Sequence, residues 1–373
     1  MIPIADPRIG EEEREGVQRV LDSGQLADGE EVRRFEDEFA DFCGAGHGVA
    51  TTNGTTALHA AFEALGIGEG DAVVTTPFSF VASANAVRHA GAEPVFADID
   101  PATFTLDPRE VERVVRERDD VAAILAVHLY GLPAELDRLR EIADEHDLAL
   151  VEDAAQAHGA EYDRRRVGSF GDAACFSFYP TKNMTTGEGG MVTTDRADVA
   201  ERVARFADHG RTSGYEHAEV GHNFRMTSLC AAIGRAQLPK LVDYTIARRG
   251  HAAYLSKRLA DAGVITPNEP SRTRHVYHQY TIRYDDRDGL RDHLSDAGVG
   301  TGIYYPTPIH QQPAYADVDA DCPVAERAAD QVLSLPVHPE LSTDDLRTIC
   351  EAVESYANGD APEPTADTGR GNA

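Results

Sequence analysis

Between Gly48 and Thr194 short apolar runs alternate with helical segments, and this alternation restricts the fold more than any other feature of the chain. Gly48–Thr52, Ala72–Thr76, Pro94–Ala97, Val121–Val127, Leu148–Val151, Ala173–Phe178 and Met191–Thr194 read as strands. Helical spacing separates them at Ala57–Leu65, Ser79–Ala90, Pro108–Arg118 and Pro133–Glu145, and resumes at Arg196–His209. Asp107 and Pro108 form a cap and first position for one of these helices. Strands that alternate with helices of this length imply an α/β fold with a mostly parallel sheet covered on both faces.

The flanks have a different texture. Glu11–Asp22 and Glu31–Phe42 have helical spacing. A loop is expected from His209 to GHNFRM at Gly221, and then a long helical run from Leu238 to Ala262. Past it, His275–Tyr284 alternates as a half-buried strand and Gly298–Ile303 reads as another. Leu290–Ala297, Val324–Val332 and Ser342–Tyr356 read as helices. The expected division is a large domain over 1–244, a small C-terminal α+β domain over 245–357, and a disordered Gly-, Pro- and Asp-rich tail over 358–373.

Composition bounds the partners. The 373 residues, 42% of them hydrophobic, can bury a sizeable core, and 35 Lys+Arg against 64 Asp+Glu leave a formal net charge of −29. Such acidity argues against nucleic acid or an anionic membrane surface as a partner. No apolar run approaches the roughly 20 residues of a membrane span. Cys43, Cys175, Cys230, Cys322 and Cys350 are scattered and odd in number, without CxxC or Cys/His metal spacing, which fits a reducing cytoplasm. Lysine occurs only at Lys182, Lys240 and Lys257. Acidic and lysine-poor, the chain has the composition of proteins from salt-loving organisms, though an ordinary acidic protein has it too.

The chemistry concentrates between Leu148 and Thr194. Asp153, Ser177 and Lys182 fall at or just beyond strand ends, the rim where open α/β sheets bind ligands. Lys182 stands before Gly187, Gly189 and Gly190, where backbone can approach a ligand closely. A lysine there either caps a loop or, unprotonated, attacks carbonyls. Asp153 either caps the segment after it or pairs with a buried cation. The ring nitrogen of pyridoxal phosphate would be such a cation, with Gln156 reaching the ring hydroxyl and Ser177 the phosphate. Strand, Asn53-Gly54-Thr55-Thr56 and helix form a second anion site, or simply an N-cap.

The strings EDAAQAHGA, GSFGDAACFSFYPTKN and GEGG, in this order and spacing, resemble the DegT/DnrJ/StrS-type sugar aminotransferase family of fold-type I pyridoxal-phosphate enzymes. So do FEDEFADFCGA at Phe35, NGTTALHAAFEALGIGEGDAV at Asn53, VHLYG at Val127, GHNFRM at Gly221 and PTPIH at Pro306. The resemblance implies a seven-stranded sheet in the large domain. It implies that Lys182 carries the cofactor, that Asp153 holds its ring nitrogen, and that Thr55, Thr56 and Ser177 hold its phosphate. Phe78 matches the aromatic that stacks on the ring. Asn223 matches a residue that reaches the phosphate in the partner's site of a homodimer with shared active sites. His158, Arg225, Tyr304, Tyr305 and His310 are the expected substrate contacts. The implied substrates are a nucleotide-linked keto sugar and an amino-acid donor, glutamate or glutamine, in surface polysaccharide or glycan synthesis.

Other readings remain open here. An aminocyclitol ketone could replace the sugar, and a cofactor-binding regulator without turnover would carry the same motifs. Relatives that are sugar dehydratases carry a histidine in place of the lysine, which Lys182 opposes. A cysteine desulfurase of this fold type needs a reactive cysteine. Cys322 is the one candidate and lacks neighbouring cations.

If the net charge of −29 is a salt adaptation, self-repulsion destabilises the fold at low ionic strength. The Tm is then expected to rise across a salt series, and a Tm indifferent to salt counts against that reading.

Overall fold

The structure, a computed structural model, describes residues 1–359. Apart from Asn358 and Gly359, the tail expected to be disordered lies outside the described residues.

The sheet strands are β1 (His47–Thr51), β2 (Ala72–Thr75), β3 (Glu93–Phe96), β4 (Val121–Val127), β5 (Ala149–Asp153), β6 (Ala173–Ser177) and β7 (Gly190–Thr194). Their order is β1-β7-β6-β5-β4-β2-β3. Only β7 runs against its neighbours, β1 and β6; the other pairings are parallel. The fold is the expected α/β architecture with a mostly parallel seven-stranded sheet.

Successive strand residues point to opposite faces. Ile124, Ala126, Leu150 and Phe176 face one core, together with Phe35 and Phe39 of α2 (Glu30–Cys43). Ala123, Leu125, Val151 and Cys175 face the other. There they meet Leu58 and Phe62 of α3 (Gly54–Leu65), Val87 of α4 (Ala82–His89) and Val203 of α7 (Ala197–Ala207). A sheet buried on both faces requires unbroken apolar strands, which is why the runs were legible.

The remaining helices are α1 (Glu11–Ser23), α5 (Pro108–Glu117), α6 (Leu136–His146), α8 (Ser228–Gln237), α9 (Leu241–Leu259), α10 (Arg287–Asp296), α11 (Pro323–Gln331) and α12 (Thr343–Ala357). Helix α8 precedes the helical run expected from Leu238 and carries only a weak apolar signal. It packs through small residues instead: Gly16 of α1 sits against Ala232, and Gly234 against the Phe35 ring. The helix expected from Ser79 begins only at Ala82, because Pro77–Val81 crosses the strand ends and the Pro77 carbonyl accepts the Ile309 N–H at 2.8 Å.

In the C-terminal third the expected strand His275–Tyr284 shrinks to β8 (Tyr280–Arg283), paired antiparallel with β9 (Val332–Leu335). Gly298–Ile303 is not a strand. It makes only single bridges, Ile2 to Val299 and Gly302 to Ser334. Leu255, Leu259, Leu290, Leu294 and Ile349 form the core of this region, and Ile2 from the other end of the chain packs on it. Residue 244 lies inside the unbroken helix α9. Ile309, Tyr315 and Ala325 join a cluster with Phe78, Phe96 and Ile99 of the sheet domain. Asp98 clamps that contact, accepting the Val324 and Ala325 N–H groups at 2.8 and 2.9 Å to cap α11. Among the described residues no helix is long and apolar enough to cross a membrane.

Candidate active site

The C-terminal ends of β5 and β6 and the N-terminus of α3 border a cavity of about 890 Å³. Asp153, the last residue of the middle strand, is buried at the cavity wall. Its Oδ2 accepts the Ser83 hydroxyl at 2.7 Å, and its Oδ1 the Ala155 N–H at 3.2 Å. Ser177 ends β6. A Cβ on Gly54 would come within 2.8 Å of the Ser177 Cβ, so glycine lets the α3 N-terminus close on Ser177. Gly190 allows the same close approach on the neighbouring strand, where a Cβ would lie 2.2 Å from the Asn53 carbonyl.

The Asn53 side chain caps α3, accepting the Thr56 N–H at 2.9 Å, while the Asn53 N–H donates to the Thr56 hydroxyl at 3.1 Å. Thr56 therefore borders the cavity with both groups already committed to the cap. The Gly54 and Thr55 N–H groups are the ones that a helix start leaves for an anion.

Lys182 follows β6 through a turn in which its N–H donates to the Tyr179 carbonyl at 2.9 Å. Among the described residues lining the cavity it is the only lysine or arginine. Burial pushes its amine down to about 8, with the Asp153 charge opposing. An amine so placed gives up its proton far more readily than a solvated lysine, and the neutral form can act as a nucleophile or a base. Gln156 is held by both ends: its Oε1 accepts the Tyr130 N–H, and its Nε2 donates to the Tyr305 hydroxyl at 3.2 Å. Tyr304 and Tyr305 also line the cavity.

Five expected contacts do not border this cavity. Phe78 is fully buried against Phe104, with ring centroids 6.1 Å apart, and does not border the cavity. Phe80, two residues on and 57% exposed, does. His158 is buried beneath the site among the Phe39, Phe176 and Phe178 rings. Burial, with Lys182 nearby, pushes it down to about 3, so it packs there as a neutral ring. Arg225 pairs with Asp208 and is absent from the cavity wall. His310 turns away to Glu326, with Nε2 3.0 Å from the carboxylate. Asn223 is exposed and does not border its own chain's cavity, whereas its neighbours His222 and Phe224 line it. Cys322 is buried, and burial pushes its thiol up to about 12, which makes it inert.

Sequence reasoning missed Phe80, Ser83, His278 and Glu152. Phe80 had no usable signal: residues two apart in extended chain share a face, so F-S-F would put both rings on one side, and the non-strand path of Pro77–Val81 parts them. Ser83 and His278, both lining the cavity, had none. Glu152 stood in plain view as a carboxylate inside an apolar strand. It is fully buried and accepts four bonds: His128 Nε2 at 3.0 Å, the Gly168 N–H at 3.0 Å, and the Phe170 and Gly171 N–H groups at 2.9 Å each. Burial alone raises its pKa, but the His128 bond and the backbone donors outweigh this and hold it below the usual carboxylate range.

The depressed Lys182 value has a stability consequence. Its folded value is about 8 against an ordinary 10.5. Between those values the unfolded chain binds more protons, so stability rises with pH across that window. Below it the fold bears the full cost of a desolvated ammonium. In denaturant melts of cofactor-free protein, Lys182→Met is therefore expected to be the more stable protein at pH 7, with its advantage shrinking between pH 8 and 10.5. A variant no more stable than wild type at pH 7 would contradict this.

The DegT/DnrJ/EryC1/StrS aminotransferase family model matches residues 7–354. The chain is 41% identical to the pleiotropic regulatory protein of Geobacillus stearothermophilus, over 91% of this chain and 94% of the relative. It is 38% identical to the UDP-N-acetyl-3-dehydro-alpha-D-glucosamine 3-aminotransferase of Acidithiobacillus ferrooxidans, over 96% of this chain and 98% of the relative. The X-ray structure of S. venezuelae DesV superposes with a TM-score of 0.90 at 41% identity, covering 93% of this chain and 94% of that one. The cavity's donor set fits pyridoxal 5′-phosphate: a carboxylate for the ring nitrogen, an amine of lowered pKa for the aldehyde, and N–H and hydroxyl groups for the phosphate. The chain belongs to the DegT/DnrJ/EryC1/StrS aminotransferase family, and it is a pyridoxal-phosphate-dependent sugar aminotransferase.

Proposed function

We propose that the chain transfers an amino group from glutamate or glutamine to the ketone of a nucleotide-linked sugar, for surface polysaccharide or glycan synthesis. The observation that carries this reading is the desolvated Lys182 amine facing the same cavity as the buried Asp153 carboxylate. The names of the relatives support a sugar substrate.

Bound pyridoxal phosphate supplies an electron sink for the pair released when the donor's α-proton leaves. Asp153 would hold the ring nitrogen, and Gln156 the ring hydroxyl. Ser177, Thr55 and the Gly54 N–H would hold the phosphate, and Phe80 is the aromatic at the cavity available to the ring. Lys182 would be the residue that holds the cofactor's aldehyde. Its amine is also the base placed to take the donor's α-proton and, in the second half-reaction, to deliver a proton to the former carbonyl carbon of the sugar. Tyr304 and Tyr305 border the sugar. Each half-reaction releases its product before the next substrate binds, so the kinetics are ping-pong.

Assay with glutamate or glutamine and a panel of nucleotide-linked keto sugars and aminocyclitol ketones tests the substrate class. Amine transfer to a nucleotide sugar with parallel double-reciprocal lines is expected. After borohydride reduction, peptide mapping is expected to find the cofactor on Lys182, and Lys182→Ala abolishes turnover. Cofactor binding without transfer to any sugar would overturn the reading.

The site is also proposed to be shared between two subunits. One lysine is a poor match for a diphosphate and a donor's carboxylates, so a further cation must come from elsewhere. Tyr215 and Val220, 98% and 90% exposed around the loop before Asn223, offer apolar surface that a partner subunit would cover. In this arrangement Asn223 reaches the partner's cofactor phosphate. Asn223→Asp sets a carboxylate against that phosphate and is expected to be nearly inactive, as is Lys182→Ala. When the two are unfolded, mixed and refolded together, about half the dimers are mixed, and each mixed dimer has one site with both lesions and one with none. Activity is then expected to recover to about a quarter of wild type. Mixed dimers that mass spectrometry confirms and that stay inactive would contradict sharing.

A further inference from the structure

Among the described residues Asp153 is the one buried carboxylate lining the cavity, and its environment is built as a chain of donors. The Ser83 hydroxyl donates to Asp153 Oδ2 at 2.7 Å. Ser83 has a single hydroxyl proton, and that proton is spent. The 3.0 Å contact between the Ser79 and Ser83 oxygens is therefore donated by Ser79. Both serines are buried, at 4% and 1% exposure. They stand one helical turn apart where the Phe80 loop enters α4. The other carboxylate oxygen, Oδ1, has only the longer 3.2 Å bond from the Ala155 N–H.

We infer that Ser83, backed by Ser79, is a positioning residue that locks the Asp153 carboxylate and leaves Oδ1 as the oxygen that meets the cofactor's ring nitrogen. Consecutive O–H donors polarise one another, so a relay holds the carboxylate more firmly than one hydroxyl does. The same relay ties Asp153 to the backbone that carries Phe80, so the ring's nitrogen partner and its cover are set by one short segment. This rests on the reading of Asp153 as the partner of the ring nitrogen.

The test uses full-length holoenzyme carrying cofactor labelled with ¹⁵N in the ring. Ser83→Ala, Ser83→Thr, Ser79→Ala and Asp153→Asn are compared by the ring-nitrogen chemical shift, the cofactor dissociation constant and the division of the loss between kcat and KM. Circular dichroism checks the fold. Ser83→Ala is expected to move the ¹⁵N signal toward the unprotonated position, weaken cofactor binding on the order of ten-fold, and lower kcat more than it raises KM. Ser79→Ala produces a smaller shift in the same direction. Ser83→Thr, which keeps the hydroxyl, restores the wild-type signal.

If Asp153→Asn moves the signal and Ser83→Ala does not, the inference about Ser83 falls while the role of Asp153 stands. If Asp153→Asn leaves the signal unchanged, both fall. If Ser83→Thr is as impaired as Ser83→Ala, Ser83 acts through packing and the inference is overturned. If Ser83→Ala fails to fold, Ser79→Ala decides alone, and an unshifted signal there overturns the relay.

Discussion

A carboxylate with no access to water, Glu152, holds the middle of this molecule together. It sits one residue before the end of β5, and the ends of two other segments converge on it: His128 beyond β4, and the Gly168–Gly171 turn before β6. An unpaired ion at this depth would cost several kcal/mol. With its donors in place it becomes a fixed node. His128 Nδ1 accepts the Ala134 N–H at 3.1 Å, so the proton on its other nitrogen points to Glu152 and the neutral ring has no alternative. The His128 N–H in turn donates to the Asp153 carbonyl at 3.0 Å. The position of Asp153 is thus set by the network of its neighbour, and Ser83 then sets the orientation of its side chain.

Around that node the cavity is arranged at the expense of stability. Lys182 is desolvated without a close counter-ion bond, and only the Asp153 field offsets its burial. A reactive amine needs this, whereas a stable surface would pair it, as the chain pairs Lys240 with Glu12 and Glu13 at 2.8 and 2.7 Å. The contrast between two of the three lysines separates a functional site from a structural one.

The sheet domain and the C-terminal third meet along lines that cross any simple division by residue number. Helix α9 runs unbroken through residue 244, Ile2 pairs with Val299, and Asp98 caps α11. Tyr305 in the C-terminal third holds Gln156 in the sheet domain at 3.2 Å. Cavity geometry and domain contact are therefore coupled through a few polar bonds as well as through the Phe78–Ile309 cluster.

The amino-acid sequence by itself determined the sheet and the floor of the site. Strands covered on both faces must be continuously apolar, and a polar residue ending such a run must serve a ligand or a cap. Asp153, Ser177 and Lys182 were legible for that reason, Gln156 from its place one turn beyond Asp153, and Thr55 through the family resemblance; all border one cavity. Tertiary structure decided the walls, because there the choice depends on which face a loop residue turns. Phe78 and Phe80 are alike in sequence, yet one faces the core and the other the cavity. His158, Arg225 and His310 carry the right chemistry, but aromatic rings, Asp208 and Glu326 hold them elsewhere. Ser83 lies 70 residues from Asp153 along the chain, and a hydrogen bond across that separation leaves no periodic trace in the sequence.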